Sequence, residues 1–128
     1  MGATVRLLDD GTVKATMDSI KPYHRGGLGT DAINGAVIAG LFDLVVGLAG
    51  YQHTRGKTAG VAQLNIHYMR PVRGNSLEVV GRPTRVGRNL VFASGELHDE
   101  QGVVCASCDG IVAVSGHPSD DSEMSAVL

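Results

Sequence analysis

The stretch AINGAVIAGLFDLVVGLAG, residues 32–50, decides the fold of this chain. Every position after Asn34 is apolar or glycine except Asp43. This continuity predicts one helix from about 35 to 50, with Asn34 as its N-cap and Gly50 as its end. A helix that is apolar all round must be covered on nearly every side by other elements.

Short strands are predicted on both sides of this helix. Before it, residues 4–8 and 12–17 are typical of one strand or a hairpin, and a glycine-rich loop follows over 18–33. After it, four strand patterns run to residue 115, and GRN and DEQG mark two hairpin turns between them. One long apolar helix with an antiparallel sheet curled around it belongs to the α+β class.

The first strand after the helix alternates in a way that predicts two faces. The residues expected on one face are Val61, Gln63, Asn65 and His67, and those on the other are Ala62, Leu64, Ile66 and Tyr68. In the next strand, Pro83 predicts a bulge or an edge position, because proline has no N–H to donate to a neighbouring strand.

The chain is long enough to bury a hydrophobic core in one domain. Its 128 residues predict a single domain over 1–115, followed by a polar, disordered tail over 116–128. It contains three Tyr, two Phe and no Trp, so the core must be built mainly from aliphatic side chains.

Charge and hydropathy argue against several classes of partner. The net charge is −2, whereas proteins that bind nucleic acids or membrane surfaces carry a basic field. The N-terminus lacks the basic and then apolar run of a signal peptide. The longest apolar run, about 15 residues, is too short to cross a bilayer. A cytoplasmic protein without a nucleic-acid or membrane partner is therefore predicted.

Two short motifs match patterns of metal, redox or nucleotide sites, but the surrounding sequence does not support such sites. Cys105 and Cys108 form a C-x-x-C pattern, but they lie in a predicted strand, and no second Cys or His pair has zinc spacing. The sequence GLGTDA at 27–32 matches a dinucleotide-binding pattern, yet no strand precedes it and no carboxylate follows at the expected distance. We expect two ordinary thiols, no metal, no cofactor and no nucleotide site.

The sequences LNIHYMRP at 64–71 and RVGRNL at 85–90, together with the helix, resemble the hotdog-fold thioesterases, in the PaaI-like branch of the thioesterase superfamily. The resemblance covers about residues 20–114. It implies the sheet order 1-3-4-5-2, in which the chain from 70 to 76 crosses the sheet instead of closing a hairpin. It also implies that two chains join along their second strands, as a homodimer or a dimer of dimers.

The same resemblance assigns roles to the helix residues. Asn34-Gly35-Ala36 stands where the family has His-Gly-Gly, while Gly35 and Asp43 keep their places. The backbone N–H of Gly35 is expected to bind the thioester carbonyl, and Asp43 to act as general base or as nucleophile. Asn34 either donates its amide to the carbonyl or only caps the helix.

Each of these residues also has a structural interpretation. Asp43 could be a paired structural carboxylate, or its helix face could be more exposed than the sequence indicates. Gly35 could only form a tight junction between loop and helix. His24 and His67 are expected to be structural or solvated.

Spacing along the helix adds a constraint that does not depend on the resemblance. Gly35 and Asp43 are eight residues apart, about 12 Å along a helix. One thioester carbon cannot lie within hydrogen-bond reach of both in a single chain. If both act on one carbonyl, two antiparallel helices from two subunits must supply them, which predicts an obligate homodimer with two equivalent sites.

The arginines are candidates for binding the phosphates of coenzyme A, because their planar forks match phosphate oxygens. Arg88, with its neighbour Asn89 in the matched hairpin, is the leading candidate, ahead of Arg70 and Arg73. A solvated surface is the competing interpretation for any single arginine.

These observations predict an acyl-CoA thioesterase that acts on an aryl or medium-chain acyl group. The alternative is a hotdog protein that binds acyl-CoA or a similar ligand without turnover. A hydratase is less well supported, since hydratases of this fold pair a carboxylate with a histidine in or near the helix, and residues 33–50 contain no histidine.

Overall fold

The computed structural model describes residues 2–26, 30–54 and 57–118. Its elements in chain order are β1 (Thr4–Leu7), β2 (Val13–Met17), a single 3₁₀ turn (Pro22–His24), α1 (Gly35–Tyr51), β3 (Lys57–Tyr68), β4 (Leu77–Val86), β5 (Leu90–Asp99) and β6 (Val104–Pro118). The last strand thus extends past the predicted limit at residue 115. The remainder of the predicted tail, 119–128, and the first part of the GLGTDA motif, 27–29, lie outside the described residues.

The strands form one antiparallel sheet in the order β1-β2-β4-β5-β6-β3. When the strands after β1 are numbered one to five, this order is 1-3-4-5-2, as the sequence resemblance implied. The segment between β3 and β4 therefore crosses the sheet, and both hairpins predicted after it are present. β1 is an additional edge strand whose residues are all exposed.

Helix α1 packs its apolar side onto this sheet, and its N-cap is the predicted one. The Asn34 Oδ1 accepts a hydrogen bond from the Ala36 N–H at 2.8 Å. The buried side of the helix consists of Ile38, Leu41, Phe42, Val45, Val46, Ala49 and Gly50. The core is mainly aliphatic as expected, and its other buried members are Phe42, Met17, Cys105 and Cys108. In the described part of the chain, no helix combines the length and hydropathy needed to cross a membrane.

In the single chain, α1 is buried against the sheet on one side, while its opposite side is only partly covered. Ala36 and Asp43 are exposed, and Val37 and Leu44 are only half-buried. The physical reason is that one twisted sheet can cover one side of a helix, whereas the opposite side needs another element. An apolar side left open in this way indicates that something else packs there.

Gly50 does not end the helix, which continues to Tyr51. Its function is instead close packing against β6. A Cβ atom at Gly50 would lie 2.5 Å from Cγ2 of Val112, so only glycine allows the helix and the strand to approach this closely. The glycine that the sequence analysis interpreted as the end of the helix therefore marks a close contact between the helix and β6.

β3 contains a bulge that the alternating pattern did not predict. The register with β6 shifts between Val61 and Gln63, so that Ala62 is the extra residue. Val61 therefore shares the inward face with Leu64 and Ile66, and its predicted place beside Gln63 is wrong. The irregularity predicted at Pro83 is confirmed by a register shift between Pro83 and Arg85.

We expect Gly50→Ala to destabilise the protein by about 1–3 kcal/mol, since the added methyl group would overlap Val112 in a packed core. The measurement is urea unfolding at one fixed protein concentration. Gly47→Ala is the matched control, because a Cβ there meets only Cγ2 of Val61 at 3.4 Å. That variant should be unchanged or more stable by up to about 1 kcal/mol through helix propensity. Equal stability of the two variants would contradict the packing role of Gly50.

Candidate active site

The N-terminus of α1 is held by two backbone hydrogen bonds from the preceding loop. The Ile33 N–H donates to the Val72 carbonyl at 2.9 Å, and the Asn34 N–H donates to the His24 carbonyl at 2.8 Å. The next N–H, that of Gly35, has no acceptor among the described residues. A free N–H at the positive end of a helix is suited to bind a carbonyl oxygen or an anion.

This N–H lies beside a cavity of about 600 Å³, which we call the N-terminal groove. Its volume is within the range of small-molecule sites, about 300–1,000 Å³. The apolar part of the lining consists of Ala32, Ile33, Ile38, Tyr68, Met69, Pro71 and Val72, and the polar part includes Asn34, Arg70 and Arg73. The groove can therefore bury an apolar chain next to a hydrogen-bond donor.

Tyr68 contributes to this groove, and the sequence analysis gave it no functional role. Its hydroxyl donates to the Gly35 carbonyl at 3.3 Å. A Cβ at Gly35 would lie 3.7 Å from the ring, which is ordinary contact. Tyr68 and Met69 are 55% and 52% exposed, which is high for large apolar side chains at the end of a strand. The signal in the sequence was only a large aromatic residue at the end of this strand, on the face predicted to include Leu64 and Ile66.

Asp43 lies in a second, smaller groove of about 170 Å³ along the side of the helix, which we call the flank groove. Its other lining residues are Leu44, Gly47, Leu48, Tyr51, Ala59, Gly60 and Val61. Asp43 is exposed in the single chain, so its helix face is more open than the surrounding apolar run indicates. It has no hydrogen-bond or ion-pair partner within the described residues, which argues against a paired structural carboxylate.

One chain therefore does not bring the predicted catalytic residues together. Gly35 and Asn34 line the N-terminal groove, whereas Asp43 lines the flank groove. Asn34 caps the helix as predicted through its oxygen, and its amide nitrogen has no partner among the described residues. Both interpretations of Asn34, as a cap and as a substrate contact, are compatible with this geometry.

Arg88 and Asn89 form the exposed turn between β4 and β5, away from the N-terminal groove. The Asn89 carbonyl accepts a hydrogen bond from the Val114 N–H at 2.8 Å. The neighbouring Ala113 pairs with Gly60, which lines the flank groove. The two predicted substrate contacts are thus nearer to Asp43 than to Gly35 along the sheet. The two arginines ranked lower, Arg70 and Arg73, are the ones that line the N-terminal groove.

The two histidines singled out from the sequence differ in burial. His24 is 4% exposed and its Nδ1 accepts a hydrogen bond from the Lys21 N–H at 3.0 Å. Because its carbonyl also receives the Asn34 N–H, His24 supports the loop that leads into the helix. Its Nε2 has no partner among the described residues. His67 is exposed on β3.

The C-x-x-C pair consists of two free, buried thiols, as expected. Burial raises the pKa of Cys108 to about 11, and the neighbouring Asp109 adds to the shift. Burial likewise raises the pKa of Cys105, with a further contribution from Asp99. Protonated thiols are poor nucleophiles and poor metal ligands at neutral pH. Within the described residues, no cluster of three or more His, Cys, Asp or Glu could hold a metal ion.

Comparison with known proteins agrees with the fold described above and identifies the family of the chain. A family model described as the thioesterase superfamily matches residues 31–106. The chain is 30% identical over 101 residues to the medium/long-chain acyl-CoA thioesterase YigI of Salmonella typhimurium, which covers 68% of this chain. It spans 65% of that relative's own length, just under two thirds.

Solved structures agree over nearly the whole chain. The E. coli PaaI protein of the phenylacetic acid degradation operon superimposes with a TM-score of 0.78, at 19% identity over 91% of this chain and 82% of that one. The BH2602 protein of Bacillus halodurans, solved with CoA, gives a TM-score of 0.76, at 25% identity over 89% of this chain and 74% of that one. With the family model covering more than half of its length and this agreement in architecture, the chain is a hotdog-fold member of the thioesterase superfamily.

Proposed function

We propose that the protein is an acyl-CoA thioesterase that hydrolyses aryl or medium-chain acyl thioesters, with each active site shared between two subunits. The observation that carries the proposal is that the free N–H of Gly35 and the unpaired carboxylate of Asp43 lie on one helix but in separate grooves. The name of the Salmonella relative and the CoA bound to the Bacillus protein support this substrate class.

A second copy of the chain completes the site in this proposal. Among the described strands β3 lies at the edge of the sheet and pairs with β6, so its outer edge has no strand partner in that part of the chain. Pairing two β3 edges about a two-fold axis gives one continuous sheet and sets the two α1 helices antiparallel. The N-terminal groove of one subunit then meets the flank groove of the other. The exposed Tyr68 and Met69 become covered, as does the open side of the helix. The assembly is a homodimer or a dimer of dimers.

The proposed roles of Gly35 and Asp43 follow from the charge that forms on the thioester during hydrolysis. Negative charge grows on the carbonyl oxygen in the transition state, and the Gly35 N–H at the helix N-terminus receives it. The carboxylate of Asp43 of the partner subunit takes a proton from water, whose oxygen attacks the carbonyl carbon and expels the thiolate. In the other mechanism the same carboxylate attacks directly, and water then hydrolyses the anhydride. Both mechanisms need the same two groups.

The other residues predicted from the sequence have these roles in the proposed active site. The Asn34 amide is available to donate to the same carbonyl. Arg88 and Asn89 lie on the sheet side nearer to Asp43, so they contact a substrate that spans the interface. Neither mechanism requires a metal or a cofactor. The cytoplasmic location stays a prediction from the sequence.

A binding protein without turnover is the second candidate function. The observation that favours it is the departure at Asn34, where the family has histidine and where the oxygen is engaged by the Ala36 N–H. Such a protein would bind acyl-CoA in the same grooves but would not release a thiol. The next two experiments distinguish it from an enzyme.

Asp43→Asn should lower the thioesterase rate about a hundredfold or more, because the amide can neither take a proton nor attack. The measurement is thiol release across a panel of acyl-CoAs, from acetyl to lauroyl, with benzoyl, phenylacetyl and hydroxybenzoyl esters. Asp9→Asn, at another exposed aspartate in the β1–β2 turn, is the control and should retain full activity. No turnover of any ester by the wild type would leave the binding protein as the better account.

Gly35→Pro removes the proposed oxyanion donor while keeping the helix. Proline is favoured at the first helical position, and Asn34 already has the extended conformation that precedes proline, with φ −62° and ψ 136°. We expect kcat to fall about 10²–10³-fold, as for loss of one oxyanion-hole donor. Gly35→Ala keeps the N–H and separates the loss of the donor from added bulk. If Gly35→Pro is folded by circular dichroism and as active as Gly35→Ala, this N–H has no catalytic role.

A further inference from the structure

His24 is a buried histidine that the proposed mechanism does not use. It belongs to the single 3₁₀ turn before α1 and is 4% exposed. Its Nδ1 accepts a hydrogen bond from the Lys21 N–H at 3.0 Å, and its own backbone N–H donates to the Lys21 carbonyl at 3.0 Å. A ring nitrogen that accepts a hydrogen bond carries no proton, so the proton of the neutral ring lies on Nε2. The side chain therefore closes the turn as one specific tautomer.

The backbone of this turn is joined to the residues that begin α1. The His24 carbonyl accepts a hydrogen bond from the Asn34 N–H at 2.8 Å. Next to this bond, Arg25 and Ile33 pair as an isolated antiparallel bridge. The chain that enters the helix therefore lies along the chain that leaves the turn, and a shift of His24 would move Asn34 with it.

These contacts fix the peptide unit that carries the proposed oxyanion donor. The Gly35 N–H belongs to the same planar trans unit as the Asn34 carbonyl, so the two point in opposite directions. The Asn34 carbonyl accepts the Val37 N–H at 3.0 Å in the first turn of α1, while the Asn34 N–H is held by His24. The direction of the Gly35 N–H beside the N-terminal groove thus depends on a residue that is held at both ends.

The other ring nitrogen of His24 indicates why a histidine stands at this position. Nε2 is buried and has no partner among the described residues. A buried N–H without an acceptor destabilises a fold, and an apolar side chain would avoid that cost. Within the described chain, the ring makes its hydrogen bond through Nδ1. The acceptor at Nδ1 is therefore the property that distinguishes this histidine from an apolar side chain of similar size.

We propose that His24 is a positioning residue for the Gly35 N–H, acting through its Nδ1. The proposal rests on the proposed function, because the N–H that it orients is the oxyanion donor of that mechanism. His24 does not line the N-terminal groove, so it acts through the backbone. Its ring holds the turn at Lys21, and the turn holds the Asn34–Gly35 peptide with its N–H toward the thioester carbonyl.

Two amide variants separate the two ring nitrogens. His24→Asn places an amide oxygen near the position of Nδ1, whereas His24→Gln carries its amide out to the position of Nε2 and leaves the Lys21 N–H without an acceptor. We expect kcat of His24→Gln to fall about 10–100-fold, and that of His24→Asn to stay within about threefold of the wild type. KM should not change in either variant, because both grooves stay intact. His67→Gln, at an exposed histidine on β3, is the matched control and should keep full activity.

A double variant with Gly35→Pro tests whether His24 acts through this N–H. Where the donor is already missing, His24→Gln should lower kcat no further, since the two substitutions remove the same interaction. A merely structural role would lower the rate by the same factor in both backgrounds. That result would overturn the proposal, as would equal losses in His24→Asn and His24→Gln or a wild-type kcat in His24→Gln.

Nuclear magnetic resonance tests the same geometry without turnover. In the wild type, the neutral His24 ring should carry its proton on Nε2 and none on Nδ1. Exchange of the Asn34 amide proton with solvent should be about tenfold faster in His24→Gln and unchanged in His24→Asn. A proton on Nδ1, or equal exchange in the two variants, would overturn the proposal even in an active thioesterase. The expected spectra in a protein that hydrolyses no acyl-CoA would contradict the proposed function and leave the role of His24 in holding Asn34 standing.

Discussion

The rigidity of one α-helix is the constraint on which the proposed active site of this protein depends. Helix α1 fixes the Gly35 N–H and the Asp43 carboxylate about 12 Å apart, and no movement within a chain can bring them onto one carbonyl. The carboxylate is exposed and unpaired in the described chain, and the N–H has no acceptor there. Two unsatisfied groups that cannot meet within one chain are the expected state of a half-site.

In the proposed shared site, each subunit leaves its half open because the sheet buries only one side of the helix. Gly81 and Gly110 face Val45 and Val46, where a Cβ would lie 2.9 Å and 2.7 Å away, so the contact is too close for any larger residue. The opposite side of the helix, the edge of β3 and the two grooves stay open. Close packing on one side and openness on the other are thus two consequences of the same arrangement.

Much of this architecture could be predicted because its signals are local. The apolar run, the Asn34 cap and the irregularity at Pro83 each act within a few residues, and the sheet order followed from the family resemblance. The bulge at Ala62 has no glycine or proline at the bulged position, since Gly60 lies two residues earlier, and the exposure of Asp43 depends on how far a sheet curls. Arg70 and Arg73 line the groove because the segment after β3 crosses the sheet beside Gly35, a proximity that sequence spacing does not reveal.

The most direct test of a shared site is a heterodimer of two inactive variants. Asp43→Asn and Gly35→Pro chains with different affinity tags can be co-expressed and purified through both tags in turn. If the site is shared, each heterodimer has one site with both groups intact and one with neither, so it should show about half of the wild-type rate although both parent homodimers are inactive. A heterodimer as inactive as its parents would contradict the sharing of the active site between subunits.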